Sequence, residues 1–164
     1  MGGALAVPGN VNACVEANIS QDPEAADIMV RHGKDVTMVG LDVTLQTLLT
    51  YEETRKWREY GTPAGQLLAD ATDYYIKAYE ATAPELGGCG LHDPLAVGVA
   101  IDPTLVTLLP INLKVDLEGP TRGRTIGDEN RMGESTTTRV AVAVDAPRFL
   151  TEFMARVGKV AAGL

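Results

Sequence analysis

Only two cysteines, Cys14 and Cys89, occur in 164 residues. Two thiols do not make the disulfide framework of a small secreted domain. No C-x-x-C spacing is present, and a four-ligand zinc site would need both His32 and His92 as well. Reduced thiols in a cytoplasmic protein are the expectation. No basic stripe is present, and the net charge is −8 with the acids spread along the chain, so binding to a nucleic-acid backbone is excluded. No apolar run approaches membrane-spanning length, and no membrane association is expected. The apolar start, residues 1–7, has no basic flank, and Pro8 interrupts it too early for a signal peptide. Ala6 stands where a myristoylation signal needs Ser or Thr.

What remains is ordinary globular composition, 45% hydrophobic and 22% charged, enough for one domain over residues 1–164. No internal repeat, low-complexity tract or linker interrupts it. Asp22-Pro23-Glu24 marks a helix start, with an Asp cap, Pro in the first turn and an acid near the positive helix end. That helix is predicted to stop at Gly33, and 36–40 reads as a short buried strand. An apolar helix is predicted over 45–50 and a charged one over 51–60. Thr62-Pro63 starts a long amphipathic helix to about Thr82. Asp93-Pro94 repeats the Asp-cap device ahead of 95–101, which is apolar all round and so belongs in an interior. Residues 106–117 read as one strand broken near Pro110. Strands are also predicted at 124–128 and 138–144, and a final helix from Pro147 to about Ala162. The fold class is α/β: part of an open, mainly parallel sheet flanked by helices, with ligand loops at strand C-termini.

Two segments could carry chemistry. In the first, Asn10, Glu16 and Asn18 lie between a turn and the Asp22 cap. Two amides and a carboxylate can hold several sugar hydroxyls, since amides donate and accept while a carboxylate accepts strongly. The same side chains could equally bond their own loop backbone. In the second, Gly88-Cys89-Gly90-Leu91-His92-Asp93 leads into the apolar helix. Asp93 could be an oxygen ligand for a hard cation and His92 a proton donor to a leaving group. Asp93 could equally be a helix cap and His92 a loop residue. The glycines are not a dinucleotide loop, because Asp93 stands at the third glycine position. His32 reads as a helix-end partner of the dipole, and Trp57 and the tyrosines of the long helix as core or interface. Neither cysteine has a partner that would make it a nucleophile.

Together, Met1-Gly2-Gly3, Gly9-Asn10, Glu16-x-Asn18, Asp22-Pro23-Glu24-Ala25-Ala26, Leu41-Asp42-Val43-Thr44 and Leu91-His92-Asp93-Pro94 resemble the C-terminal half of the inosine-uridine-preferring nucleoside hydrolases. The resemblance covers nearly all of the chain. It implies hydrolysis of the N-glycosidic bond of ribonucleosides by a calcium-bound water. It assigns Met1, Asn10, Glu16, Asn18 and Asp93 to the sugar, Asp93 also to calcium, and His92 to protonation of the leaving base. Many members carry Phe where Ala17 stands, which leaves the preferred base open. The family's Asp-rich D-x-D-x-G-x-D-D run, which supplies most calcium ligands, does not occur in these 164 residues. One aspartate cannot supply the six to eight oxygens calcium takes. The expectation is therefore an isolated chain that is inactive. It would be a fragment, half of a split enzyme completed by an N-terminal half, or a non-catalytic module that self-associates as a homo-oligomer or binds a partner.

Overall fold

The computed structural model describes residues 1–164. Its first helix falls where a polar loop is predicted. Glu16 accepts from the N–H groups of Asn18 and Ile19 and so caps α1 (Ala17–Gln21). Asp22 then accepts from Ala25 N and, with Pro23, starts α2 (Pro23–His32) as predicted. Gly33 ends α2 in an extended conformation and leads into β1 (Val36–Met38). The apolar helix predicted over 45–50 is not there. Instead α3 (Leu41–Thr44) forms one turn earlier, and β2 (Leu48–Leu49) follows. A four-residue helix cannot nucleate alone; here all four residues are buried and tertiary contacts hold the turn.

Thr50 and Glu53 form a reciprocal capping box at the start of α4 (Tyr51–Glu59). Thr62 caps α5 (Pro63–Thr82), and Arg58 of α4 reaches Asp70 and Asp73 of α5 at 2.7 and 2.8 Å. Short β3 (Cys89–Gly90) pairs antiparallel with β2 and delivers the chain to α6 (His92–Ile101). The cap of α6 is Leu91, with no side-chain hydrogen bond, so Asp93 is not the predicted N-cap but lies within the first turn.

The strand predicted over 106–117 is two strands in different sheets. β4 (Val106–Pro110) pairs with one partner and β5 (Leu113–Val115) with another. Between them Asn112 turns the chain: its Nδ2 donates to Arg131 O, and its Oδ1 accepts from Thr137 N. β5 pairs antiparallel with β6 (Thr125–Gly127), and β7 (Thr138–Val144) matches its predicted span before α7 (Ala146–Ala161).

The main sheet has the order β1-β7-β4. β1 and β7 are parallel, with Thr37 opposite Arg139, whereas β4 and β7 are antiparallel. The sheet is thus mixed rather than mainly parallel within this chain. Parallel pairing needs a crossover, which the helices between β1 and β7 provide; no α-helix separates β4 from β7. β7 is the hinge of the core. Ala141 faces a large cluster with Trp57, Leu95, Leu105 and Phe149, and Val140 faces a smaller one with Met38, Leu113 and Val115. No helix is long and apolar enough to cross a membrane.

Candidate active site

The segment 1–7 carries no regular structure, yet most of its backbone groups have a partner. Gly2 N donates to Val39 O, and Gly3 O accepts from Leu41 N. Gly3 N donates to Glu16 Oε2 at 2.8 Å. Thr125 Oγ1 accepts from Ala4 N and donates to Ala4 O, both at 3.0 Å. The two oxygens of Asp42 accept from Leu5 N and Ala6 N at 2.8 and 2.7 Å. Arg124 donates to the carbonyls of Leu5, Val7 and Cys14. Gly3 has φ +84°, and a Cβ there would lie 2.6 Å from Met38 Sδ and 2.9 Å from Thr125 Oγ1. Only glycine takes that backbone and that space.

Glu16 is 2% exposed and accepts three backbone N–H groups, from Gly3, Asn18 and Ile19. It therefore ties α1 to the 1–7 segment. Asn18 Nδ2 contacts Met1 at its carbonyl (3.4 Å) and its sulfur (3.2 Å). Asn10 is exposed, and its Oδ1 accepts from Ala17 N at 2.9 Å. It lines a cavity of about 590 Å³ with Leu45 and with Tyr75 and Tyr79 of α5.

His92 lies behind Tyr79, which lines that cavity. Its Nε2 lies 2.5 Å from the Tyr79 hydroxyl and its Nδ1 2.7 Å from Thr44 Oγ1. The imidazole rests on Gly90, where a Cβ would be 2.7 Å from Nε2. Tyr75 packs edge-on against Tyr79, with ring centroids 5.1 Å apart. Burial lowers the His92 imidazole below its ordinary value, offset in part by the charges of Glu16 and Asp93. Burial raises the Tyr79 hydroxyl well above its ordinary range, and Tyr75 adds to that shift. Both groups thus favour their neutral forms, and the direction of the Tyr79–His92 hydrogen bond follows the imidazole tautomer. Burial also raises the Cys89 thiol, which keeps it protonated and unreactive.

The structure thus brings Asn10 and Tyr79 to one cavity, with His92 behind Tyr79, and Met1, Glu16 and Asn18 to a cluster beside it. Asp93 is exposed and lines a different hollow, between α6 and α7. No group of three or more His, Cys, Asp or Glu side chains could hold a metal ion. The donors of this chain therefore do not fit calcium by themselves. Sequence reasoning read Tyr79 as core or interface and assigned no role in the site to Thr44, Asp42, Thr125 or Arg124. A signal existed for three of them: Asp42 and Thr44 lie in a quoted family segment, and Tyr75 and Tyr79 stand one helical turn apart on α5.

An α/β scaffold thus pins the 1–7 segment with the buried carboxylates of Glu16 and Asp42, beside a cavity lined by the Asn10 amide and the Tyr79 phenol. The family model described as inosine-uridine preferring nucleoside hydrolase matches residues 1–151, and the chain belongs to that family. It is similar to a probable uridine nucleosidase 2 of Arabidopsis thaliana, 38% identical over 95% of this chain and 51% of that protein. An inosine-uridine preferring nucleoside hydrolase of Crithidia fasciculata is 36% identical over 86% of this chain and 45% of its own length. Among solved structures, a purine-preferring ribonucleoside hydrolase from Gardnerella vaginalis superposes with a TM-score of 0.97 at 68% identity, covering 100% of this chain and 52% of that one. The chain spans about half the length of the curated relatives it matches.

Proposed function

We propose that this chain supplies the sugar-holding and leaving-group side of a nucleoside N-ribohydrolase. The observation that carries the reading is His92, clamped between Thr44 and Tyr79 over Gly90, directly behind the Tyr79 wall of the Asn10 cavity. In the reaction the bond from C1′ to the base nitrogen breaks and its electron pair leaves with the base. The base gains a proton, and water adds to C1′ and gives one up. The Tyr79–His92 pair holds a proton at that wall, which suits delivery to a departing base. Asn10 Nδ2 and Asn18 Oδ1 are the amide atoms left for ribose hydroxyls, while Asn10 Oδ1 and Asn18 Nδ2 are engaged within the chain. A carboxylate offers about four lone-pair sites. Three of those on Glu16 serve backbone N–H groups. Its part in binding a hydroxyl is accordingly limited to what remains, and Met1 borders the cluster through Asn18. Tyr75 and Tyr79 supply the aromatic surface that Ala17 does not.

Calcium belongs to this reading only with ligands from outside the chain. Asp93 would contribute one, and no step is routed through the ion because the donors present here do not fit it. The same observation favours the second reading, a chain without catalysis of its own that acts by association.

Release of free base from inosine and uridine tests the proposal, using the chain joined to the rest of a family domain. Hydrolysis is expected, and His92→Ala is expected to slow inosine more than a nucleoside with an acidic leaving group. Equal slowing of both substrates would remove the acid role.

A further inference from the structure

Residues 7–14 form a compact surface loop whose two ends lie close together. Its tip, residues 10–13, is exposed throughout. Turn bonds hold the loop from within. Gly9 N donates to Ala13 O at 3.4 Å and Val11 N to Val15 O at 3.1 Å. Asn12 Oδ1 accepts from Cys14 N and Val15 N. The tip carries Asn10 to the cavity it shares with Tyr75 and Tyr79. The placement of this loop therefore decides the placement of the Asn10 amide.

One side chain closes the neck of the loop from outside. Arg124 Nη1 donates to Val7 O on the incoming limb at 2.8 Å and to Cys14 O on the outgoing limb at 3.0 Å. Its Nη2 donates to Leu5 O at 2.6 Å. Asp42 accepts from Leu5 N, so Leu5 is bonded on both sides. Arg31, Arg58 and Arg131 pair with carboxylates, whereas these three Arg124 bonds all go to uncharged carbonyls. The backbone of Arg124 is itself fixed: its N–H donates to Thr121 O and its carbonyl accepts from Asp116 N. The neck has no slack. A Cβ on Gly9 would lie 2.1 Å from Val15 O, and one on Gly123 would lie 2.7 Å from Val15 Cγ1. A guanidinium presents a fork of donors that bridges two limbs, whereas a lysine ammonium is a single point.

We propose that Arg124 is a positioning residue for sugar binding: by bridging the limbs of the 7–14 loop it holds the Asn10 amide at the cavity. The inference rests on the reading that Asn10 meets a ribose hydroxyl. Arg124 does not line that cavity, so its effect passes through the loop. A shift of about 1 Å in a binding group is enough to weaken an enzyme severely.

Arg124→Met removes the bridge. In the chain as it stands, amide hydrogen exchange at Val11, Cys14 and Val15 is expected to quicken at least tenfold in this variant. Gly3 and Ile19, held by Glu16, should keep their rates. Unchanged exchange in the loop overturns the proposal. In the chain joined to the rest of a family domain, Arg124→Met is expected to raise KM for inosine about tenfold, the scale of one lost hydrogen bond, with kcat within about twofold. Asn10→Ala should do the same. The double variant should be no worse than Asn10→Ala alone, because both changes remove one contact. Effects that multiply would place the action of Arg124 elsewhere and overturn the proposal. Arg124→Lys keeps the charge without the fork and should match Arg124→Met; full recovery would make charge the cause and the bridge irrelevant. Should Arg124→Met not fold, Arg124→Lys carries both measurements with the same expectations. A KM moved by Asn10→Ala but not by Arg124→Met overturns this inference alone. A KM unmoved by Asn10→Ala removes the sugar role of Asn10, and this inference with it.

Discussion

Gly90 decides where His92 can sit. A methyl group there would press on Nε2 at 2.7 Å and on the Tyr79 hydroxyl at 3.3 Å. Gly90→Ala is therefore expected to separate His92 from Tyr79 and reduce turnover of a completed enzyme at least tenfold, with less effect on KM than on kcat. Steady-state kinetics on inosine checks this, and an unchanged kcat removes the clamp from the mechanism. Glu16→Gln puts an N–H₂ group against backbone N–H donors in a buried site. The expected loss is about 2–4 kcal/mol of stability, the scale of a charged hydrogen bond plus a stranded donor; urea unfolding reads it. The residue types that mark this site were legible in the sequence: two asparagines, a glutamate, and His92 after a glycine-rich turn. Their partners were not. Thr44 and His92 are 48 residues apart, and Ala4 and Thr125 are 121 apart. No local pattern links positions so distant. Glu16 shows the limit most plainly, because its type suggested a sugar ligand while most of its capacity serves the backbone.

At the scale of elements, sequence was sufficient where the ends are fixed locally. Asp22-Pro23, Thr62-Pro63 and the alternating run of β7 each gave a correct boundary, since a cap or a β-branched alternation acts within a few residues. It was insufficient where a partner decides. α3 exists because Gly3 O accepts from Leu41 N and Asp42 clips residues 5 and 6. β4 and β5 separate because β7 and β6 claim them in turn. Beyond His92 and Asp93 in its first turn, helix α6 has no polar residue to show which side would be left outward. Its two sides should respond differently to truncation. Leu95→Ala, at a fully buried site, is expected to cost about 2–5 kcal/mol. Val97→Ala in the same chain is expected to stay within about 0.5 kcal/mol of neutral. Thermal melts of the two variants distinguish the sides, and similar losses would mean that Val97 is already covered.

For the molecule as a whole, one buried carboxylate contributes to the response to acid through ion pairs that join distant elements. Asp128 has a fully buried side chain, bonded to Arg31 at 2.8 Å and Arg131 at 2.7 Å. Burial alone would raise its pKa. The Arg131 hydrogen bond, the Asn130 N–H and the charges of both arginines outweigh burial and hold it below the ordinary 3.8. A depressed carboxylate stabilises the fold fully above its unfolded value, and that stability fades as pH falls through the folded value. The chain is thus expected to lose stability below about pH 4. Asp128→Asn should be weaker at pH 7, by about 2–3 kcal/mol, and show a flatter acid limb. Equal acid limbs would place the titration elsewhere. The tethering of residues 2–7 has a kinetic consequence. A segment without helix or strand ordinarily exchanges its amide hydrogens fast. Here those amides are held by side chains from α3, from the cap of α1 and from β6, so they can be shielded only after these elements have assembled. Shielding at Gly3 to Ala6 becomes a clock for the closing steps of folding, because it reports when three separate elements have come together.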